Sequence, residues 1–425
     1  MNNKGFTLVE MIVVMAVFIV ILAISGDSFK TILQQSGKLF RSEESNIEGV
    51  IGLEMLRHDL QQGGYGLFTH DSPVGYVEAV SDLPKAYNNV PGSTASMTMP
   101  PKPFSFGNNL AAIVDGTHTV IANTDYIAVR ASTVGRSNAS QKWGYLDYAS
   151  GSVIPHSWPS TSENFVVNEK VLVMERVSSI KGLRILPEAV NNWFYYPYSN
   201  VAFNSTSFIN YSTMVSSSFV LYGLDDAAST PRMPFNRSDY FVAVPSNLPP
   251  VCAPGTGVLN KTIVNNSTDG TTGGKLSYFP VLDCVLDLQV VLGWDLFNGT
   301  SPGNDGNIDV WTNADATKGA TADSSGQYTT GSTALNEALA AFSDPARLRN
   351  SLKLIKVYIL AQNGRKDTSY TSPGTIVVGN TKFDGTDPQG LGRSYVLPSS
   401  LLNYRWKVYE VVAKPKNLAD RKSVV

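Results

Sequence analysis

Residues 6–24 form an apolar run interrupted only by Thr7 and Glu10, and the chain passes from it directly into an amphipathic pattern. At a helical rise of 1.5 Å per residue the run spans roughly 28 Å, close to the ~30 Å hydrocarbon core of a bilayer. Lys4 precedes it and no basic residue lies within it, which predicts a cytoplasmic N-terminus. A removable secretory signal would end in small residues ahead of its cleavage point. Here Ser25-Gly26-Asp27-Ser28 leads straight on, so the run is expected to be retained as a single membrane crossing. Glu10 departs from its chemistry. A carboxylate inside a membrane segment costs ~2.5–3.5 kcal/mol, so it marks a function by default, against a side chain that snorkels to the interface.

The amphipathic half extends the same helix. Phe29, Ile32, Leu33, Leu39, Phe40, Ile47, Val50, Leu53, Met55, Leu56 and Leu60 recur mostly at three- and four-residue steps. The steps are too irregular for strict heptads, which disfavours a coiled-coil dimer. Gly63-Gly64 supplies a stop. One helix from residue 6 to about 62 would be roughly 85 Å long, with Gly26 its weakest point and Gly37, Gly49 and Gly52 weakening it further by ~1 kcal/mol each.

Beyond Tyr65 the helical period gives way to short β-branched and aromatic runs between clusters of Gly, Asn, Asp, Ser and Pro. Residues 125–130, 165–177, 218–222, 239–244, 285–291, 352–361 and 404–412 read as strands. Residues 335–342 and 345–350 are the later helices, and 91–103, 204–217 and 312–333 read as long loops. The fold class is α+β: a long N-terminal helix, transmembrane over 6–24 and amphipathic over 25–64, then a large antiparallel β-rich domain over 65–425.

Composition narrows the function. The chain carries 33 basic and 35 acidic side chains, net −2, which removes the electrostatic footprint of a nucleic-acid binder. A mean hydropathy of −0.06 excludes a multi-spanning membrane protein. Gly299-Thr300-Ser301-Pro302-Gly303 matches a nucleophile elbow by letters alone, because it lacks the flanking strand and helix that chemistry requires. The four histidines show no metal-ligand spacing, and no phosphate-binding loop is present. No enzyme activity is expected. The aromatic run 193–198 reads as core packing or a sheet edge before it reads as an exposed adhesive patch.

Gly5-Phe6-Thr7-Leu8-Val9-Glu10 resembles the class III leader of type IV prepilins and pseudopilins. The resemblance makes residues 1–5 the leader and Gly5–Phe6 the bond cut by a prepilin peptidase, which then methylates Phe6. Glu10 becomes the fifth residue of the mature chain and an assembly residue. Its carboxylate can neutralise the new α-amino group, pKa ~7.7–8, of a neighbouring subunit in lipid. Further on, Leu56-Arg57-His58-Asp59-Leu60-Gln61-Gln62-Gly63-Gly64-Tyr65 is similar to the end of the N-terminal region in PilW-family minor pilins, with Gln61 departing from the pattern. Residues 285–295, 356–362 and 404–412 look like that family's later strands. The resemblance implies a structural and priming subunit of type IV pilus assembly near the tip. Its partners would be the prepilin peptidase, other minor pilins, the major pilin and the inner-membrane assembly platform. It would reside in the inner membrane before assembly, and in the periplasm and pilus afterwards. The rivals are a type II secretion pseudopilin and a pilin-anchored surface adhesin.

Two further groups stand out in an exported chain. Cys252 and Cys284 sit in a disulfide-permissive compartment and are expected to bridge, against the alternative of two separate buried thiols. Asp295, Asp305, Asn307 and Asp309 crowd a Gly-rich loop, and Asp305-x-Asn307-x-Asp309 copies the opening of a calcium-binding EF-hand loop. Val310 stands where the turn glycine belongs and Ala316 where the closing glutamate belongs. Turn chemistry accounts for the same residues. Calcium is therefore the one cofactor the sequence raises.

Overall fold

A computed structural model describes residues 8–149, 152–177, 182–187, 194–195, 198, 218–225, 230–322, 326–381 and 388–418. Within the first helix it describes the side chains of 8–22, 29 and 49–62. That helix, α1, runs over Leu8–Gln62 in one piece, through Gly26. Its last turns present Leu53, Leu56 and Leu60 on one face. All three are buried in a core shared with Phe104, Val129, Val285 and Ile359 of the main sheet. Gly64, at φ 86°, turns the chain out of the helix, a backbone state that glycine adopts without a Cβ clash.

Gly49 and Gly52 are seats for packing and not weak points. A Cβ on Gly52 would lie 2.2 Å from the Val281 carbonyl oxygen, and one on Gly49 would lie 2.9 Å from Leu282 Cδ1. The missing side chains let α1 lie directly on the sheet backbone. Gly52→Ala should therefore destabilise the β domain by about 1–3 kcal/mol, since backbone must shift to admit the methyl group. A thermal melt unchanged from wild type would disprove this close seat.

The main sheet has twelve antiparallel strands. Its spine is the 19-residue strand Leu276–Trp294. The first half of that strand pairs with Gly257–Val264, and the second half with Leu352–Gln362 on one side and Val310–Asn313 on the other. Trp406–Ala413 closes one edge against Leu352–Gln362. Tyr126–Ala131 and Asn236–Val244 continue the sheet beyond Gly257–Val264. Helices Thr333–Ser343 and Pro345–Ser351 cover it through Ala338, Ala341 and Leu348. Ser332 caps the first of these and Asp344 the second, each accepting backbone N–H bonds. A smaller sheet of five strands stands apart, holding Trp143–Ala149, Ser152–Pro155, Val171–Val177, Gly182–Leu186 and Ser218–Gly223.

The α+β architecture matches the expectation, while several elements depart from it. Residues 312–333 are not a plain loop: Val310–Asn313, Gly319–Thr321 and Gln327–Tyr328 form a meander that extends the main sheet. Its strands are only two to four residues long, too short to leave a periodic pattern. The strand expected over 165–177 begins at Val171, because Val166 and Val167 are exposed in the loop before it. Residues 204–217 lie outside the described residues.

Candidate functional site

Gly5 and Phe6 lie outside the described residues. Glu10 falls in the first turn of α1, where a carboxylate complements the positive end of the helix dipole. The apolar side chains around it and after it are exposed on every face: Leu8, Met11, Ile12, Met15, Phe18, Ile19 and Leu22 among them. An all-round apolar helix is not built to lie on its own domain, and it needs an apolar environment from elsewhere. Among the described residues, no helix is long and apolar enough to cross a membrane.

The other end of α1 is locked to the β domain by a buried charge. Asp59 lies one turn after Leu56 and is 2% exposed. Its carboxylate accepts a 2.7 Å bond from the Tyr240 hydroxyl and pairs with Lys261 Nζ at 2.6 Å. Burial pushes the Tyr240 phenol well above its ordinary value, and the Asp59 charge beside it adds to this. A buried carboxylate with both partners in place fixes the register of the helix on the sheet.

A larger polar core lies beside this anchor. Arg130 and Arg237 stand directly opposite each other on neighbouring strands, an arrangement that repels unless an anion separates the guanidiniums. Glu78 supplies it. Its Oε2 accepts from Arg130 Nη2 at 2.8 Å and from Arg237 Nη1 at 2.8 Å. Asp239 takes Arg237 in two parallel bonds of 2.9 and 2.8 Å. All four side chains are fully buried, with two positive and two negative charges. Burial drives the Glu78 carboxyl up, but the two arginines outweigh it and hold the group below its ordinary range. Asp125, close by, shows the reverse. Burial pushes it up to about 8, although the Asn109 and Val290 amides donate to it. The network was missed in the sequence. An arginine in an otherwise apolar strand, as in Tyr126-Ile127-Ala128-Val129-Arg130, was the available signal.

Cys252 and Cys284 are joined, with Cα atoms 4.9 Å apart. The carboxylates of the acidic loop bond to nearby backbone and to one lysine. Asp295 is fully buried; it accepts the Asp305 and Gly306 amides at 3.0 and 2.9 Å and pairs with Lys353 at 3.1 Å. Asp309 accepts the Leu296 and Phe297 amides, and Asp305 accepts the Asn307 amide. These carboxylates fold the loop as turn residues. Among the described residues, no three of His, Cys, Asp and Glu come together in a group that could hold a metal ion. Ser301 lies in a two-residue strand paired with Phe297–Asn298, with no helix after it. Tyr195, from the aromatic run, is fully buried and bridges Val171, while Phe194 and Tyr198 pack beside the small sheet.

The structure thus offers a helix whose described N-terminal apolar side chains are exposed and whose last turns pack on a β-rich body. Residues 1–26 match the family model described as the prokaryotic N-terminal methylation motif. No curated protein and no solved structure matches the chain. The motif carries a type IV prepilin-like leader and marks a type IV pilin-like or pseudopilin protein. Such a leader implies processing by a prepilin peptidase and assembly with pilus components. The class it defines is structural rather than catalytic.

Proposed function

We propose that the chain is a minor pilin of the PilW type, a structural and priming subunit of type IV pilus assembly placed near the tip. The observation that carries this reading is the N-terminal methylation motif at the head of a helix whose apolar residues stay exposed while its far end is locked into a large β domain. In the proposed cycle, residues 6–24 sit in the inner membrane with the N-terminus cytoplasmic until assembly. Phe6 becomes the methylated N-terminus. Glu10 pairs with the α-amino group of an adjacent subunit, where an unpaired charge in lipid would be strongly disfavoured. The bulk of the β domain suits a terminal subunit better than one repeated along a filament.

Mass spectrometry of membrane-derived protein should find a mature chain beginning at methyl-Phe6. An intact Met1 peptide as the main species would refute the processing. Glu10→Ala should leave cleavage intact yet lower incorporation into pili, and wild-type piliation by this variant would refute the charge pairing. Loss of secretion instead of piliation on gene deletion would transfer the protein to a type II secretion machine.

A further inference from the structure

The small sheet carries an aromatic surface that no part of the pilin reading uses. Trp143, Tyr145 and Asp147 alternate along Trp143–Ala149 and so share one face. Cross-strand register sets Trp143 opposite Tyr222 and Tyr145 opposite Val220, so these partners share the face, with Tyr222 buried at its inner edge. The returning chain adds His156 and Trp158. The Trp143 and Trp158 rings lie 5.1 Å apart, and Tyr145 stacks on His156 at 4.3 Å. Trp158 meets Tyr145 and His156 edge to face. Trp143 nevertheless keeps 44% of its surface open. Asp147 keeps 43% of its side chain open and holds His156 Nδ1 at 2.7 Å. Because the carboxylate only accepts, Nδ1 donates to it.

We propose that this surface is a carbohydrate-binding site for β-1,4-linked hexopyranose chains. A pyranose whose substituents are all equatorial has an apolar C–H face and a rim of hydroxyls, which calls for an aromatic plane beside hydrogen-bonding groups. Trp143 provides the plane, with Asp147 and His156 as the polar partners. From Trp143 to Asp147 the strand covers about 13 Å, enough for an oligosaccharide and too long for a single sugar. Two other ligands of aromatic surfaces fit worse. A cage for an organic cation needs space between its rings for the cation, and here the rings touch one another. A base-stacking platform for single-stranded nucleic acid needs cations along the backbone. The nearest in sequence, Lys142, is tied to Glu169 at 2.6 Å, and Asp147 adds negative charge to the patch.

The test uses the full chain in detergent micelles. Retention on chitin and cellulose beads is measured, together with quenching of tryptophan fluorescence by chitohexaose and cellohexaose. Wild type should bind at least one of these glycans. Trp143→Ala should weaken that binding about tenfold or more, in line with the loss of an aromatic contact and its buried area, while its melting temperature stays near wild type. Asp147→Asn keeps the shape and loses the charged acceptor, so it should also weaken binding, which covers the case in which Trp143→Ala fails to fold. No binding to any of these glycans by wild type overturns the proposal. So does undiminished binding by a folded Trp143→Ala, or binding of single-stranded DNA or choline in place of the glycans.

Discussion

Glu78→Gln should destabilise the folded domain by about 3–5 kcal/mol, the range for breaking a buried ion pair from one side. The amide retains the shape of the carboxylate but removes the negative charge between Arg130 and Arg237. Two guanidiniums on directly opposed strand positions would then share a site with only Asp239 to balance them. Both arginines are fully buried, so water cannot screen the repulsion. Denaturant melts of the variant check the size of the loss, and a shift below ~1 kcal/mol would mean that the site admits water or rearranges. The pH dependence carries the same physics. Glu78 is depressed below its ordinary 4.5, so its stabilisation is complete above that value and disappears as pH falls through the folded value. Asp125 works in the opposite direction. Raised from 3.8 to about 8, it binds a proton in the native state that the unfolded chain has released, so stability falls as pH rises across that window. Melting temperature should therefore peak between the two effects. Asp125→Asn should flatten the alkaline side even though its absolute stability drops, because one of the two amide bonds to the side chain is lost.

The contrast between Asp59 and Glu78 shows what a sequence of this kind makes legible. The 6–62 helix announces itself through local period, and so do the runs 285–291 and 352–361, where β-branched residues alternate with others along segments long enough to count. Asp59 sits within a readable motif. Glu78 sits in a loop with no pattern of its own. Its role exists only because Tyr126–Ala131 and Asn236–Val244 pair and bring Arg130 to Arg237, residues more than a hundred positions apart. The same holds for Gly182–Leu186 and for the Thr375–Thr381 and Pro388–Val396 hairpin, whose glycines and polar residues read locally as loop. At Gly49 and Gly52 propensity alone misleads, since a glycine that weakens an isolated helix is what allows α1 to touch the sheet. The acidic loop is ambiguous for a related reason: an aspartate that binds a cation and one that accepts two backbone amides use the same oxygens. At Asp295 the two oxygens accept the Asp305 and Gly306 amides, and Oδ2 also pairs with Lys353.

Removing the Cys252–Cys284 bridge should be the second large effect. The two positions are 32 residues apart, and closing a loop of that length restricts the unfolded chain by roughly 3–4 kcal/mol in the chain-entropy account. The closed segment includes Gly257–Val264 and the first part of Leu276–Trp294, so the bridge staples the sheet next to Val281 and Leu282, where α1 is seated. Paired Cys252→Ala and Cys284→Ala replacements should lower the melting temperature by roughly 4–5 °C, on an unfolding entropy of about 2.1 cal/mol/K per residue over a domain of roughly 360 residues. Reduced wild type should melt at nearly the same temperature as the double variant. Cys284 adds a control, because its backbone lies at φ 55°, a left-handed state that costs a side-chain-bearing residue about 1–2 kcal/mol. Cys284→Gly, combined with Cys252→Ala, should therefore lose less than the double alanine variant. Equal melting of oxidised and reduced protein would show that the bridge constrains nothing the rest of the sheet does not already hold. Two free thiols in peptide maps of protein taken from the cell envelope would show that it does not form there.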